Sequence, residues 1–362
     1  MSSDFGKCIR VSIFGESHGA AIGVVMDGLP AGEPVDLAEI DLQLSRRAPG
    51  RDKSATPRKE RDAFQVLSGL LEGKTTGAPF CAVIENTNTK SGDYENLRLC
   101  PRPSHSDYAA FVKYGGQNDL RGGGHFSGRL TAPLVIAGSV CRQMLSRRGI
   151  TVGGHVLRIG TAVDTPFDPV GIAAGELASL SQRYFATCSP AAESAMREEI
   201  ETARAALDSV GGMVEIAAVG LPAGLGSPIF RGVENVVSAA LYGVPAIKAV
   251  SFGAGEGFAS LCGSEANDQM SIQAGAVRTL TNHCGGITGG ITNGMPLVVR
   301  AACKPTPSIS RMQRTVDLSA MEDTVLEIHG RHDPCIVPRA LPAAEAAVAI
   351  ALADLMREEG RL

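Results

Sequence analysis

The residues best suited to chemistry are histidines, and most of the seven sit in turns built from glycine and proline. They occur as Gly15-Glu-Ser-His18-Gly, Pro103-Ser-His105-Ser-Asp, Gly122-Gly-Gly-His125, His283-Cys-Gly-Gly and His329-Gly-Arg-His332-Asp-Pro. An imidazole titrates near neutrality, so two or three brought to one substrate can act as general acids or bases. A loop histidine on its own more often only ties a turn. Around these turns lie groups suited to anions. Between Arg46 and Arg61 the chain carries seven basic residues against Asp52 and Glu60, with Pro49, Gly50 and Pro57 marking a loop. The planar fork of arginine matches carboxylate and phosphate, so the segment reads as a small-anion site, the alternative being a solvated basic face. Arg121-Gly-Gly-Gly-His-Phe-Ser127-Gly-Arg129 runs into a helix expected from about Arg129. Backbone N–H groups at such a start hold phosphate, whereas a merely tight turn is the plainer reading; without Gly-Lys-Ser/Thr at its end the loop is not a P-loop. Lys304-Pro-Thr-Pro-Ser308 sets a cation and two hydroxyls on stiff backbone. Asp333 precedes Pro334, which keeps it out of helix beside Arg331 and His332, as a salt-bridge partner or a general base.

Positioning these loops requires helices and strands, and both are legible. Asp36 and Glu39 resemble a capping box ahead of Leu37, Ile40 and Leu44, so a helix is expected to stop near Ala48-Pro49-Gly50 and to deliver Arg46 and Arg47 at its end. A mostly apolar helix is expected from about Arg129 to Arg148, ending at Gly149. Ser189-Pro190 opens an amphipathic helix with Met196, Ile200, Ala203 and Leu207 on one face, closed by Gly211-Gly212. An alanine-rich helix is expected from about Pro342. Strands are expected at Phe80–Glu85, Val152–Val163, Met213–Val219 and Leu297–Ala302. Strands and helices alternate only loosely, with no strict βαβ repeat and no GxGxxG after a strand, so the reading is a layered arrangement of both and not a dinucleotide fold. No repeat or linker divides residues 1–362, and one continuous domain is expected.

Composition bounds the function. At 362 residues with 44% apolar and 20% charged, the chain is that of a folded globular protein. Its 43 glycines against no tryptophan fit many turns and close backbone approaches. A net charge of −4 offers no basic surface for nucleic acid. The nine cysteines are scattered, with no CxxC pair, and read as reduced thiols; His329 with His332 is the nearest approach to a ligand pair, and no metal site is expected. Met1–Arg10 has no apolar core and no run is long enough to span a bilayer, so no membrane partner and a cytoplasmic location are expected.

Taken in order, Gly15-Glu-Ser-His-Gly19, Arg47-Ala-Pro-Gly50, Leu67-Ser-Gly with Glu72-Gly-Lys-Thr-Thr-Gly77, Arg102-Pro-Ser-His-Ser-Asp-Tyr108, the triple-glycine loop, Lys304-Pro-Thr and Gly330-Arg-His-Asp-Pro-Cys335 strongly resemble the chorismate synthase family across nearly the whole chain. The resemblance implies an α/β protein of α+β type, a layered β-α-β sandwich with antiparallel sheets, assembled as a homotetramer. It implies an anti 1,4-elimination of phosphate from 5-enolpyruvylshikimate 3-phosphate, the last common step toward aromatic amino acids, dependent on reduced FMN. By the same resemblance His18 protonates the departing phosphate, His105 protonates reduced FMN near N1 and Asp333 accepts the flavin N5 proton, with Ser17 and Ser127 near the flavin as proton relays. FMN contacts are implied for His125, Phe126, Ser127, Gly289, for Lys304, Pro305, Thr306, Pro307 and Ser308, and for Arg331. Arg47, Arg51, Lys53, Arg129 and Arg339 are implied to meet the anionic substrate, or in bifunctional members a reduced pyridine nucleotide, NADP being its oxidised form. Two positions depart from the usual pattern. Many members have Arg-Ser-Ser where this chain has His125-Phe126-Ser127, so a cation at the flavin would depend on pH. Many have Arg where this chain has Lys53, which lacks the bidentate fork and shifts substrate binding toward Arg47 and Arg51. Two other readings share some of these features. A binding protein for a phosphorylated metabolite would use the glycine loop and basic segment but leaves the histidines and Asp333 unexplained; a flavin reductase would share the FMN site but lacks the dinucleotide fingerprint.

Overall fold

The computed structural model describes residues 3–50, 62–86, 99–328 and 333–362. From the N-terminus, β1 (Asp4–Phe5), β2 (Arg10–Gly15) and β3 (Ala21–Asp27) form a meander, followed by helix α1 (Leu37–Arg47) and β4 (Phe64–Ser68). A small hairpin of β5 (Leu70–Leu71) and β6 (Lys74–Thr75) leads to β7 (Phe80–Glu85). Helices α2 (Asp107–Tyr114) and α3 (Thr131–Ser146) carry the chain to β8 (Thr151–Ile159) and β9 (Ala162–Val163). Then come α4 (Ala174–Leu180), α5 (Pro190–Ala205), β10 (Gly212–Val219), α6 (Val233–Tyr242) and β11 (Ile247–Phe252). The short α7 (Gly263–Ala266) precedes two hairpins, β12 (Met270–Gln273) with β13 (Ala276–Thr279) and β14 (Ile287–Thr288) with β15 (Ile291–Thr292). The chain ends with β16 (Leu297–Cys303), a third hairpin of β17 (Gln313–Asp317) and β18 (Glu322–Leu326), and α8 (Val337–Glu358).

Two five-stranded sheets result, ordered β1-β2-β3-β7-β4 and β11-β16-β10-β8-β9, with antiparallel pairing throughout. Alternation sets which face is covered. Ile22, Val24 and Met26 of β3 and Phe80, Ala82 and Ile84 of β7 are all at most 1% exposed, and α3 lies on that face. The second sheet is covered by α8, which packs on β8, β10 and β16, and α3 and α8 pack on one another between the sheets. This is the expected sandwich of antiparallel sheets and helices, α+β in class. α8 is apolar on every side, and Val337 to Met356 are buried apart from Arg339, as an interior helix demands. The approach of α3 to α8 is close because a Cβ on Gly138 would fall 2.2 Å from that of Ala346.

Charges inside this core are matched. Arg46 at the end of α1 bonds Glu345 of α8 (2.5 and 3.3 Å), Gln43 and the Arg183 carbonyl, so the last turn of α1 is fixed in place. Asp354 accepts the backbone N–H groups of Lys7, Cys8 and Ile9. In the second sheet His155 lies between Asp164 (2.9 Å) and Glu215 (3.0 Å), and Arg300 holds the other oxygen of Glu215 at 2.8 Å. Burial alone would strip the imidazole of its charge, but hydrogen bonds to Asp164, Cys188 and Glu215 outweigh it and push the pKa up to about 11.

The structure adjusts some sequence expectations. α1 starts at its Asp36 cap as read, the side chain accepting from Ala38 N. The long strand expected over Val152–Val163 is two, because Gly160 turns the chain with φ +54. Leu207 does not complete the face of α5: the helix ends at Ala205, and Leu207 is 59% exposed with φ +56. α8 begins at Val337, ahead of Pro342: Pro338 takes the second helical position, where no backbone N–H is needed, and Pro342 lies inside the helix. The N-terminal strands β2 and β3 have no counterpart among the expected strands.

Candidate active site

The end of α1 supplies the first charged group. Arg47 is 3% exposed and donates from Nη1 to Asp62 (2.7 Å), from Nε to Thr131 Oγ1 (3.0 Å) and from Nη2 to the Gly128 carbonyl (3.2 Å). Arg129 takes the other oxygen of Asp62 and donates from Nε to Asn86 at 3.3 Å. Arg339, from the first turn of α8, donates to the Arg47 carbonyl at 2.9 Å and pairs with Asp333. Among the described residues, three guanidinium groups thus share the two carboxylates of Asp62 and Asp333, which concentrates positive charge beside a cavity. Burial pulls the Arg47 pKa down, aided by Arg339 and Arg129, against the pull of Asp62. Burial would raise Asp62, but Arg47 and Arg129 outweigh it and hold this carboxyl below the usual range.

The triple-glycine loop gathers the histidines. Gly122, Gly123 and Gly124 have φ of +61, +87 and +54, values that side-chain-bearing residues rarely adopt. A Cβ on Gly122 would stand 2.6 to 2.8 Å from the His18 ring and Ser17 Oγ; one on Gly123 would lie 3.5 to 3.6 Å from Ser127 and from the His105 ring. Ser17 N donates to the Gly124 carbonyl at 3.1 Å, which pins the Ser17-His18 turn to the loop. One backbone turn therefore touches Ser17, His18, His105 and Ser127. His105 Nδ1 lies 2.6 Å from Asp107 Oδ1, and Arg102 donates to both oxygens of Asp107. The hydrogen bonds from Arg102 and His105 outweigh burial and hold Asp107 far below the usual carboxylate range. His125 has a different task. Its Nδ1 donates to the Gly15 carbonyl and its Nε2 meets Ser3 Oγ, both at 2.7 Å, so the ring clasps β2 to the N-terminal segment. Phe126 is 39% exposed, its ring 6.3 Å from that of Tyr114.

Lys304 to Ser308 follow β16 along another wall. Lys304 Nζ bonds the Ser104 carbonyl, and burial followed by the nearby Lys248 charge lowers its pKa. Ser308 Oγ accepts from Arg102 Nη1 at 3.3 Å, and Ser209 Oγ donates to the Thr306 carbonyl at 2.7 Å. Ser104 itself has φ +58, strain of the kind that functional loops hold.

These groups line one cavity of about 940 Å³, near the upper end of the range for small-molecule pockets. Its walls include Ser17, Arg47, His105, His125, Phe126, Ser127, Arg129, all of Lys304 to Ser308, Asp333 and Arg339, together with the apolar Val11, Ile13, Leu134 and Val244. His18 is 7% exposed and sits directly behind Gly122. Gly289 does not line this cavity: it lies in the β14–β15 turn, beside the start of α6, while the far end of α6 borders the cavity. Arg51, Lys53 and Arg331, with His329 and His332, lie outside the described residues. Sequence reasoning missed Asp62, Arg102, Asp107, Thr131 and Lys248. Only Arg102 and Asp107 had a signal, the spacing Arg-x-x-His-x-Asp.

A cavity with an apolar wall, lined by acid–base groups and several cations, defines an enzyme's site for a small anionic substrate. The comparisons with known proteins fix the class. The family model for chorismate synthase matches residues 9–356. Chorismate synthase from Thermococcus kodakarensis is 49% identical over 349 residues, 96% of each chain. That from Methanocella arvoryzae is 46% identical over 356 residues, 98% of this chain and 94% of its own. A crystal structure of chorismate synthase superposes with a TM-score of 0.76 at 29% identity, covering 98% of this chain and 93% of the other. The chain belongs to the chorismate synthase family, and it is a carbon–oxygen lyase.

Proposed function

We propose that the chain eliminates phosphate and a ring hydrogen from 5-enolpyruvylshikimate 3-phosphate in the anti 1,4 sense, giving chorismate, with reduced FMN bound in the same cavity. The observation that carries this reading is the convergence of Ser17, His105, Ser127, Asp333 and three arginines on one cavity with room for more than one small ligand. The substrate has a phosphate and two carboxylates, and Arg47, Arg129 and Arg339, with Arg51 and Lys53, neutralise them. The walls also fit a flavin. Thr306 Oγ1 is buried with no hydrogen-bond partner among the described residues, Lys304 and Lys248 supply charge for a phosphate, and the apolar wall suits a planar ring. His125, Phe126 and Ser127, Lys304 to Ser308, and Arg331 would hold it. Held there, a reduced flavin would supply reversible one-electron chemistry to an elimination that involves no net redox change.

The protein's own groups manage the protons. His18, behind Gly122, donates to the departing phosphate. His105 would give a proton from Nε2 at the polar edge of the bound ring, and Asp333, paired with Arg339, would accept the proton that must leave, with Ser17 and Ser127 as relays. The nine free thiols favour the cytoplasm, and exposed Met270, Ile272, Met312 and Met321 on hairpins favour a homotetramer that covers them. No helix among the described residues is long and apolar enough to cross a membrane. The test is anaerobic phosphate release from 5-enolpyruvylshikimate 3-phosphate with and without dithionite-reduced FMN. Release that requires the reduced flavin supports the reading; none with both present returns the chain to a binding role. Adding NADPH with oxidised FMN in place of dithionite then separates a bifunctional enzyme, which turns over, from a monofunctional one, which does not.

A further inference from the structure

Behind His105, on the side away from the cavity, lies a carboxylate that the proton scheme above leaves unused. We propose that Asp107 is the positioning residue for His105: clamped by Arg102, it fixes the proton on Nδ1 and turns Nε2 toward the cavity. The inference rests on the acid–base reading of the site and adds a residue to it.

The contacts settle the tautomer. An ionised carboxylate can only accept, so the 2.6 Å approach of Asp107 Oδ1 to Nδ1 requires the proton on that nitrogen. Arg102 Nη2 is also 3.1 Å from Nδ1, but it lies closer to Asp107 Oδ1, at 2.8 Å, and donates there. Asp107 takes further bonds on Oδ2 from Arg102 Nε at 2.7 Å and from Arg102 N at 3.1 Å. The aspartate side chain is 3% exposed and the arginine 7%, whereas the histidine is 16% exposed. Water is thus kept from the carboxylate and admitted to the ring. On the cavity side His105 Nε2 faces Gly123, where even an added Cβ would stand 3.6 Å away. The clamp reaches the neighbouring Lys304–Ser308 segment as well, through Arg102 Nη1 to Ser308 Oγ and Lys304 Nζ to the Ser104 carbonyl. Asp107 is therefore built into the wall that carries Lys304 to Ser308, and the direction of His105 is set by that wall.

Asp107→Asn separates positioning from packing. Arg102 keeps the amide oxygen facing itself, the NH2 group turns to His105, and a donor there drives the ring proton to Nε2. The test is a long-range 1H–15N spectrum of the ligand-free full chain with labelled histidine, at a pH where His105 is neutral, with its signals assigned by their loss in His105→Gln. The wild type is expected to have a protonated Nδ1 and a bare Nε2, and Asp107→Asn the reverse. In the loaded enzyme the variant is expected to lose about 100-fold in kcat, the scale of acid–base assistance, with KM changed by less than about threefold. A wild-type ring protonated on Nε2 overturns the proposal even if the variant does not fold, and so does a variant that keeps its kcat within about threefold. If neither protein makes chorismate, the proposed reaction falls, while the spectrum still decides the role of Asp107.

Discussion

Gly122 is the point at which backbone and acid–base chemistry touch, and its neighbour provides a control. Alanine at Gly122 adds a Cβ within 2.8 Å of His18 and Ser17 on backbone with φ +61, whereas alanine at Gly123 meets only ordinary contacts at 3.5 Å or more with φ +87. Both variants should lose about 1–2 kcal/mol in urea unfolding from the left-handed backbone. Only Gly122→Ala should also lose kcat, by about 10-fold or more, as His18 is displaced. Equal kcat in the two variants would remove the argument from contact. Asp62 makes a second case. Asp62→Asn leaves Arg47 and Arg129 buried without their carboxylate, and should cost about 3–5 kcal/mol. Inorganic phosphate should restore part of this, read as a urea midpoint with and without the anion. The histidines, Arg47 and Lys304 were legible because residue type and turn chemistry announce them. Asp62 was not, because the arginines it serves lie 15 and 67 positions away and only the folded chain joins them.

At the scale of elements, α1 and α5 were readable from caps and 3.6-residue periodicity, and the central strands from β-branched runs. The N-terminal sheet was harder to read, since Arg10–Gly15 carries arginine, serine and glycine where one strand face is only partly covered. What the sequence could not convey is how the layers close. Ala346→Leu forces a large side chain against Gly138 of α3 and should cost about 1–3 kcal/mol by overpacking. The His155 bridge across β8 and β10 should make stability depend on pH on both sides. Its folded pKa is raised, so its contribution is full below the unfolded value of about 6.5 and is lost as pH climbs toward about 11. Asp164 and Glu215 are depressed, because hydrogen bonds led by His155 outweigh burial, so their contribution is present above about pH 4 and is lost as pH falls through their folded values. His155→Gln should therefore be least stable relative to wild type below the unfolded value of about 6.5, with the gap narrowing as pH rises from there toward about 11. A gap that does not depend on pH would contradict a charged ring.

For the molecule as a whole, a net charge of −4 surrounds a cavity edged by Arg47, Arg129, Arg339, Lys248 and Lys304, so an anionic substrate is drawn by a local field against the average. Raising the ionic strength from about 0.01 to 1 M shortens the screening length from about 30 to 3 Å, and kcat/KM should fall by about 10-fold or more. Fold class and family were legible because the motifs run in order along nearly the whole chain. At position 125, where the sequence departs from the usual arginine, both ring nitrogens of His125 are engaged by Ser3 and Gly15, contacts that no spacing in the sequence announces. The most direct test of the central claim is a single anaerobic time course with 5-enolpyruvylshikimate 3-phosphate and reduced FMN, following phosphate and chorismate together. The two products should appear one for one and only with the reduced flavin; phosphate released without chorismate, or both formed with oxidised flavin alone, would contradict the account.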